Sequence, residues 1–205
     1  MKIAIIGATG MVGREITVEA LRRGHQVTAA SRSGAAVEGA PAATPQALEL
    51  GDSAALRSLA QSNDVIISAT GPSRTGGDHD AWLAQNQQAF DAVGDTRILV
   101  VGGAGSLQLP DGSRLVDAPD FPDAYRSEAL SAARLLDVLR SQPDRLDWTM
   151  LCPSPVITPG ERTGNYTTAR DEVAGPKISS QDFAVAMLDE VEHPAHRRAR
   201  FTAAN

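Results

Sequence analysis

The stretch Lys2-Ile3-Ala4-Ile5-Ile6-Gly7-Ala8-Thr9-Gly10-Met11-Val12-Gly13 decides the fold. A short apolar run reads as a buried strand, glycines follow at once, and a segment with apolar residues at helical spacing comes next. Strand, glycine turn and helix in that order are what a bound diphosphate requires. Gly7 permits a tight turn, Gly10 lets the backbone approach the phosphates, and Gly13 lets the helix pack close to the strand. The N–H groups at the helix start and the positive end of its dipole then favour an anion. Thr9, Met11 and Val12 belong to the same turn and are assigned to the same site. The simpler reading of these glycines is a tight strand-to-helix turn that binds nothing.

Outward from this turn, short apolar runs alternate with helical periods. A helix is expected over residues 11–23, ending at Gly24, where a residue without Cβ can adopt the left-handed cap. Strands are expected over 25–30, 47–50, 65–69, 98–101 and 148–151, and a last one over 200–203. Residues 34–44, rich in Gly, Ala and Pro, read as a surface loop. Helices are expected over 53–62, with Ser53 as N-cap, and over 80–93, 124–140 and 181–192. Residues 102–122 hold three prolines and an Asp111-Gly112 turn without sustained periodicity, so they read as a functional loop. A short hairpin is expected near Tyr166. This order defines an α/β chain with a doubly wound parallel sheet, a Rossmann fold. It is read as one domain over 1–205, with 152–205 contributing a small lobe on the substrate side.

Composition narrows the function. The 205 residues are 42% hydrophobic and 21% charged with a net charge of −6, values of a globular chain with no general attraction to nucleic acid or anionic membranes. No segment approaches the ~20 apolar residues of a membrane span, and the run at 3–6 is too short for a signal peptide. The single cysteine, Cys152, excludes an intramolecular disulfide framework and suits a reducing compartment, so the cytoplasm is the expected address. The expected partner is a small-molecule acceptor, and the expected state is a monomer or homodimer.

After the second strand comes Ser31-Arg32-Ser33, where an NAD-selective chain usually places an acidic residue for the ribose 2′-hydroxyl. Here Arg32 offers a planar guanidinium for a 2′-phosphate, and the two serines add donors. The expected cofactor is therefore NADP(H), the alternative being a solvated surface arginine. Ala69-Thr70-Gly71 follows the fourth strand, and Gly103 and Ala104 follow the fifth. Both segments are expected to line the cofactor at the carboxyl edge of the sheet. Asp52 is read equally as a contact to the adenine amine or as a cap of the next helix.

With these motifs the chain resembles the atypical short-chain dehydrogenase/reductases, in the NAD(P)H-binding group that includes NmrA-like sensors and biliverdin-IXβ/flavin reductases. The resemblance rests on the first glycine turn, Ser31-Arg32, Ala69-Thr70-Gly71, Cys152-Pro153-Ser154-Pro155 and Gly160-Glu161-Arg162-Thr163-Gly164-Asn165-Tyr166. It implies that Pro153, Ser154, Pro155 and Val156 sit beside the nicotinamide. Catalytic relatives use Tyr-x-x-x-Lys, in which lysine lowers the tyrosine pKa for proton transfer. In this chain Tyr125 and Tyr166 are followed four residues on by Ala129 and Arg170.

Hydride transfer to a flat acceptor such as a flavin, quinone or tetrapyrrole does not require a protein acid. The expected activity is therefore that of an NADPH-dependent oxidoreductase. Ser106 and Tyr125 are the candidate catalytic residues: Ser106 to orient the acceptor, or else to satisfy its own backbone, and Tyr125 to close over the site or to anchor its helix. His79 is the one histidine in a segment expected at the site, although a structural role is the simpler reading. Cys152 reads as packing, and the remaining histidines match no metal-ligand spacing. A non-catalytic NADP(H) sensor and a sugar-nucleotide epimerase relative are the other classes consistent with the resemblance.

Overall fold

The runs Lys2–Ile6, Val65–Ser68 and Arg97–Val101 are buried along almost their whole length, so the sheet they form needs helices on both faces. A computed structural model, which describes residues 1–73 and 75–205, supplies them. In chain order the elements are β1 (Lys2–Ile6), α1 (Met11–Arg22), β2 (Gln26–Ser31), β3 (Thr44–Ala47), α2 (Ser53–Ser62), β4 (Val65–Ser68), α3 (His79–Val93) and β5 (Arg97–Val101). There follow α4 (Asp123–Arg140), β6 (Trp148–Pro153), β7 (Val156–Thr158), β8 (Thr167–Ala169), β9 (Lys177–Ser179), α5 (Ser180–Glu192) and β10 (Ala199–Ala204).

The main sheet has the order β3-β2-β1-β4-β5-β6-β10-β8 and is parallel except for β8, which pairs antiparallel with β10. Side chains alternate across it, as the period of two requires. Ile3 and Ile5 face α1 and α5, packing with Ile16, Phe183 and Met187. Ala4 and Ile6 face α2, α3 and α4, with Leu56, Phe90, Leu135 and Leu139. Residues 152–205 supply α5 and β10 to this core, and β7 and β9 form a small parallel pair beside it.

Three local expectations are corrected. The third strand is Thr44–Ala47, not residues 47–50. It contains Pro45, which is tolerated because β3 is the outermost strand and one row of its N–H groups needs no partner. The cap of α2 is Asp52 rather than Ser53, its carboxylate accepting from the N–H groups of Ala54 and Ala55, both at 3.0 Å. No hairpin forms near Tyr166. Thr167–Ala169 instead joins β10, and Val156–Thr158 pairs with Lys177–Ser179, because distant segments satisfy these ladders better than the local turn does.

Candidate functional site

The turn after β1 is locked by its own backbone. The N–H groups of Gly7 and Ala8 both donate to the Ala30 carbonyl, at 2.9 and 3.1 Å, and the Gly10 N–H donates to Gly7 at 3.0 Å. Gly7 has φ +82°, and a Cβ there would lie 2.7 Å from the Ala69 carbonyl oxygen, while one on Gly13 would lie 2.1 Å from that of Gly7. These two glycines are required by the fold itself. Gly10 is different: it is exposed, and its Cβ would meet the Gly7 oxygen at a tight but less severe 3.3 Å. Gly10 caps α1 without a side-chain hydrogen bond, so the first-turn N–H groups are left for water or a ligand.

Beside this turn lies a cleft of about 510 Å³ at the carboxyl edge of the sheet. Gly7, Thr9 and Gly10 form one wall, and Ser31 and Arg32 at the end of β2 form another. Ala69, Thr70, Gly71 and Ser73 line it beyond β4. The cleft also takes in residues that the sequence reading missed: Leu48, Glu49 and Leu50 beyond β3, and Trp82 and Gln85 from α3. Reading residues 47–50 as strand hid the first three, and the helical period of α3 gave no sign that Trp82 faces a cleft. Ser31 is buried, whereas Arg32 is exposed and has no ion-pair or hydrogen-bond partner among the described residues. Uncapped N–H groups, a guanidinium unpaired among the described residues and apolar walls within one cradle fit an elongated, anionic, partly aromatic ligand.

Other expected residues stand apart from the cleft lining. Ser33 flanks it, with its hydroxyl 3.5 Å from that of Ser31 and accepting from the Ala35 N–H. Asp52 is occupied in capping α2. Met11 is exposed, Val12 packs on the α1 face of the core, and Gly13 is buried. The glycines after β5 have a packing reason: a Cβ on Gly103 would lie 2.8 Å from that of Ala132, and one on Gly105 would lie 2.8 Å from that of Ala129. Gly103 and Ala104 thus sit where α4 presses on the sheet edge. Pro153 ends β6, Ser154 is fully buried with its hydroxyl donating to the Ala203 carbonyl at 2.8 Å, and Pro155 and Val156 are exposed.

Of the candidate catalytic residues, Ser106 is turned inward. It is 5% exposed, its hydroxyl donates to the Gly103 carbonyl at 3.1 Å, and it receives an N–H of Arg200. Both partners belong to the fold, and Ser106 is not among the residues that line the cleft. Tyr125 is 56% exposed in the first turn of α4. Cys152 is buried, and burial pushes its thiol up to about 11, as expected for a packing cysteine. Among the described residues no group of three His, Cys, Asp or Glu is arranged to hold a metal.

Residues 160–166 lie across α1 and α5. Arg162 forms a bidentate pair with Glu19 at 2.7 and 2.8 Å, and Arg23 reaches the same carboxylate at 2.8 Å. Burial pushes the Glu19 carboxyl up, but the hydrogen bonds from Arg162 and Arg23 outweigh it and hold the group below the usual carboxylate range. Asp182 accepts from the Thr163 and Gly164 N–H groups, and the Tyr166 hydroxyl donates to Asp189. The motif is thereby a strap that fastens the C-terminal segment to the core.

A doubly wound sheet with a glycine-turn cleft at its carboxyl edge defines a Rossmann-like dinucleotide-binding class of protein. The chain belongs to the NAD(P)H-binding family, whose model matches residues 7–194. It is 39% identical to the uncharacterised protein YwnB of Bacillus subtilis, over 98% of this chain and 97% of that one. Two solved structures share the whole fold at 32% identity. One is a candidate epimerase from Bacteroides thetaiotaomicron, with TM-score 0.87 over 99% of this chain and 96% of that one. The other is a candidate NADH-flavin reductase from Streptococcus pneumoniae, with TM-score 0.84 over 100% and 99%.

Proposed function

We propose that the chain is an NADP(H)-dependent oxidoreductase that passes a hydride to a flat acceptor such as a flavin, quinone or tetrapyrrole. The observation that carries this reading is the cleft, which combines the uncapped start of α1 with Arg32, unpartnered among the described residues. In it the Gly7–Gly13 backbone takes the diphosphate, Ser31, Arg32 and Ser33 take the 2′-phosphate, and Ala69, Thr70 and Gly71 line the opposite wall. Gly103, Ala104 and the 153–156 segment border the nicotinamide end. The nicotinamide supplies the hydride, and the acceptor's proton comes from water, since neither tyrosine has a lysine four residues on. The reductase name of the Streptococcus pneumoniae relative supports the flavin class. The single buried thiol keeps a reducing compartment, the cytoplasm, as the proposed address.

The test is NADPH oxidation, followed by absorbance, against flavins, quinones and biliverdin, with NADH as the control. Acceptor-dependent turnover with NADPH preferred is the expected result. Tight NADPH binding without turnover on any acceptor would replace this reading with a non-catalytic sensor.

A further inference from the structure

After β4, Thr70, Gly71 and Ser73 line the cleft, and His79, which is not part of the lining, contacts Ser73 from the start of α3. Asp78 caps α3, accepting from the N–H groups of Asp80 and Ala81 at 2.9 and 3.0 Å, so the helix opens with His79. The His79 ring turns back over the segment, with Nε2 2.8 Å from the Ser73 carbonyl oxygen. Its Nδ1 lies 2.9 Å from the hydroxyl of Ser131 in α4. A carbonyl only accepts, so Nε2 donates to Ser73, while Nδ1 meets the Ser131 hydroxyl, which also lies 3.1 Å from the Ser127 carbonyl oxygen. Gly77 also closes on Ser73, since a Cβ there would lie 2.6 Å from that of Ser73.

Helix α4 bears on the second segment of the sheet edge as well. Ala132, next to Ser131, and Ala129, one turn earlier, touch Gly103 and Gly105 so closely that neither glycine has room for a Cβ. The segments after β4 and β5 therefore share one reference, α4, and among the described residues His79 makes a side-chain link to the first.

We propose that His79 is a positioning residue for dinucleotide binding: by tying the Ser73 carbonyl to Ser131 of α4, its imidazole holds the post-β4 wall of the cleft in register with the rest of the site. This rests on the reading of the cleft as a cofactor site. The side chain makes no contact with the ligand in this role, and it gives up no proton.

The experiment measures NADPH dissociation constants by calorimetry, together with the thermal midpoint of the ligand-free protein, for wild type, His79→Ala, His79→Gln, Ser131→Ala and the double variant His79→Ala/Ser131→Ala. His79→Ala should weaken NADPH about tenfold, the scale of one or two lost hydrogen bonds. His79→Gln, whose amide still donates toward Ser73, should recover part of the loss. The double variant should bind no worse than His79→Ala, since both changes break one link. A purely structural ring would lower the midpoint and leave the dissociation constant within about twofold, and that result overturns the proposal. Losses that multiply in the double variant overturn it too. If His79→Ala does not fold, unchanged affinity in His79→Gln and Ser131→Ala has the same force. Wild-type protein that fails to bind NADPH overturns the cofactor reading, and this inference with it.

Discussion

The guanidinium of Arg200 donates to the carbonyl oxygen of Ser106 at 2.5 Å and to its hydroxyl at 3.1 Å. Arg200 is buried in β10, and its remaining donors go to Asp171. A side chain from the last strand thus holds the serine of the glycine-rich turn after β5. Ser106→Ala should leave turnover and NADPH affinity within about threefold, and it should lower stability by about 1–3 kcal/mol, because the hydroxyl's hydrogen bonds with Arg200 and the Gly103 carbonyl are lost. Denaturant melts beside steady-state rates separate the two effects.

Tyr125 is exposed and has no lysine four residues on. Tyr125→Phe should reduce flavin or quinone reduction by less than about tenfold, equivalent to about 1.4 kcal/mol of barrier. A thousandfold loss with NADPH affinity intact would make this tyrosine the proton donor.

Arg32 lines the cleft without a partner among the described residues. Arg32→Ala should abolish most of the preference for NADPH over NADH, weakening the former by about 10- to 100-fold, as loss of a charge-assisted contact to phosphate would. Titration of both cofactors against both proteins checks it, and equal affinities in wild type would contradict the 2′-phosphate role.

Gly10 and Gly13 should fail differently when substituted. Gly13→Ala places a Cβ 2.1 Å from a backbone oxygen, so it should destabilise the fold, by several kcal/mol on the scale of overpacked sites. Gly10→Val, on the exposed side of the turn, should leave circular dichroism and the unfolding midpoint near wild type while abolishing NADPH binding.

Glu19 links stability to pH. Its folded pKa lies below the ordinary value of 4.5, so the unfolded chain takes up the proton first as pH falls. The stability it contributes is present above 4.5 and is lost as pH drops through the depressed folded value. Glu19→Gln should be less stable at neutral pH and show a shallower loss below pH 4.5 in denaturant melts. Parallel acid limbs for the two proteins would show that Glu19 is not depressed.

The sequence by itself determined the helices, most strands of the main sheet and the glycine turn after β1. These are local: buried runs, helical periods and the Gly7, Gly10 and Gly13 spacing are written within a few residues of where they act. Arg32 was legible for the same reason, standing next to the strand that presents it. Tertiary structure alone decided what long-range contacts decide. Pro45 could enter a strand only because that strand became the edge of the sheet, which in turn placed Leu48 to Leu50 in the cleft. Asp52 became a cap, Ser106 was taken by Arg200 from 94 residues away, and His79 found Ser131 at a separation of 52. A hydroxyl or an imidazole can serve a substrate or the fold with equal chemistry. Which it serves depends on the neighbour that reaches it, and packing brings that neighbour from a distant part of the chain.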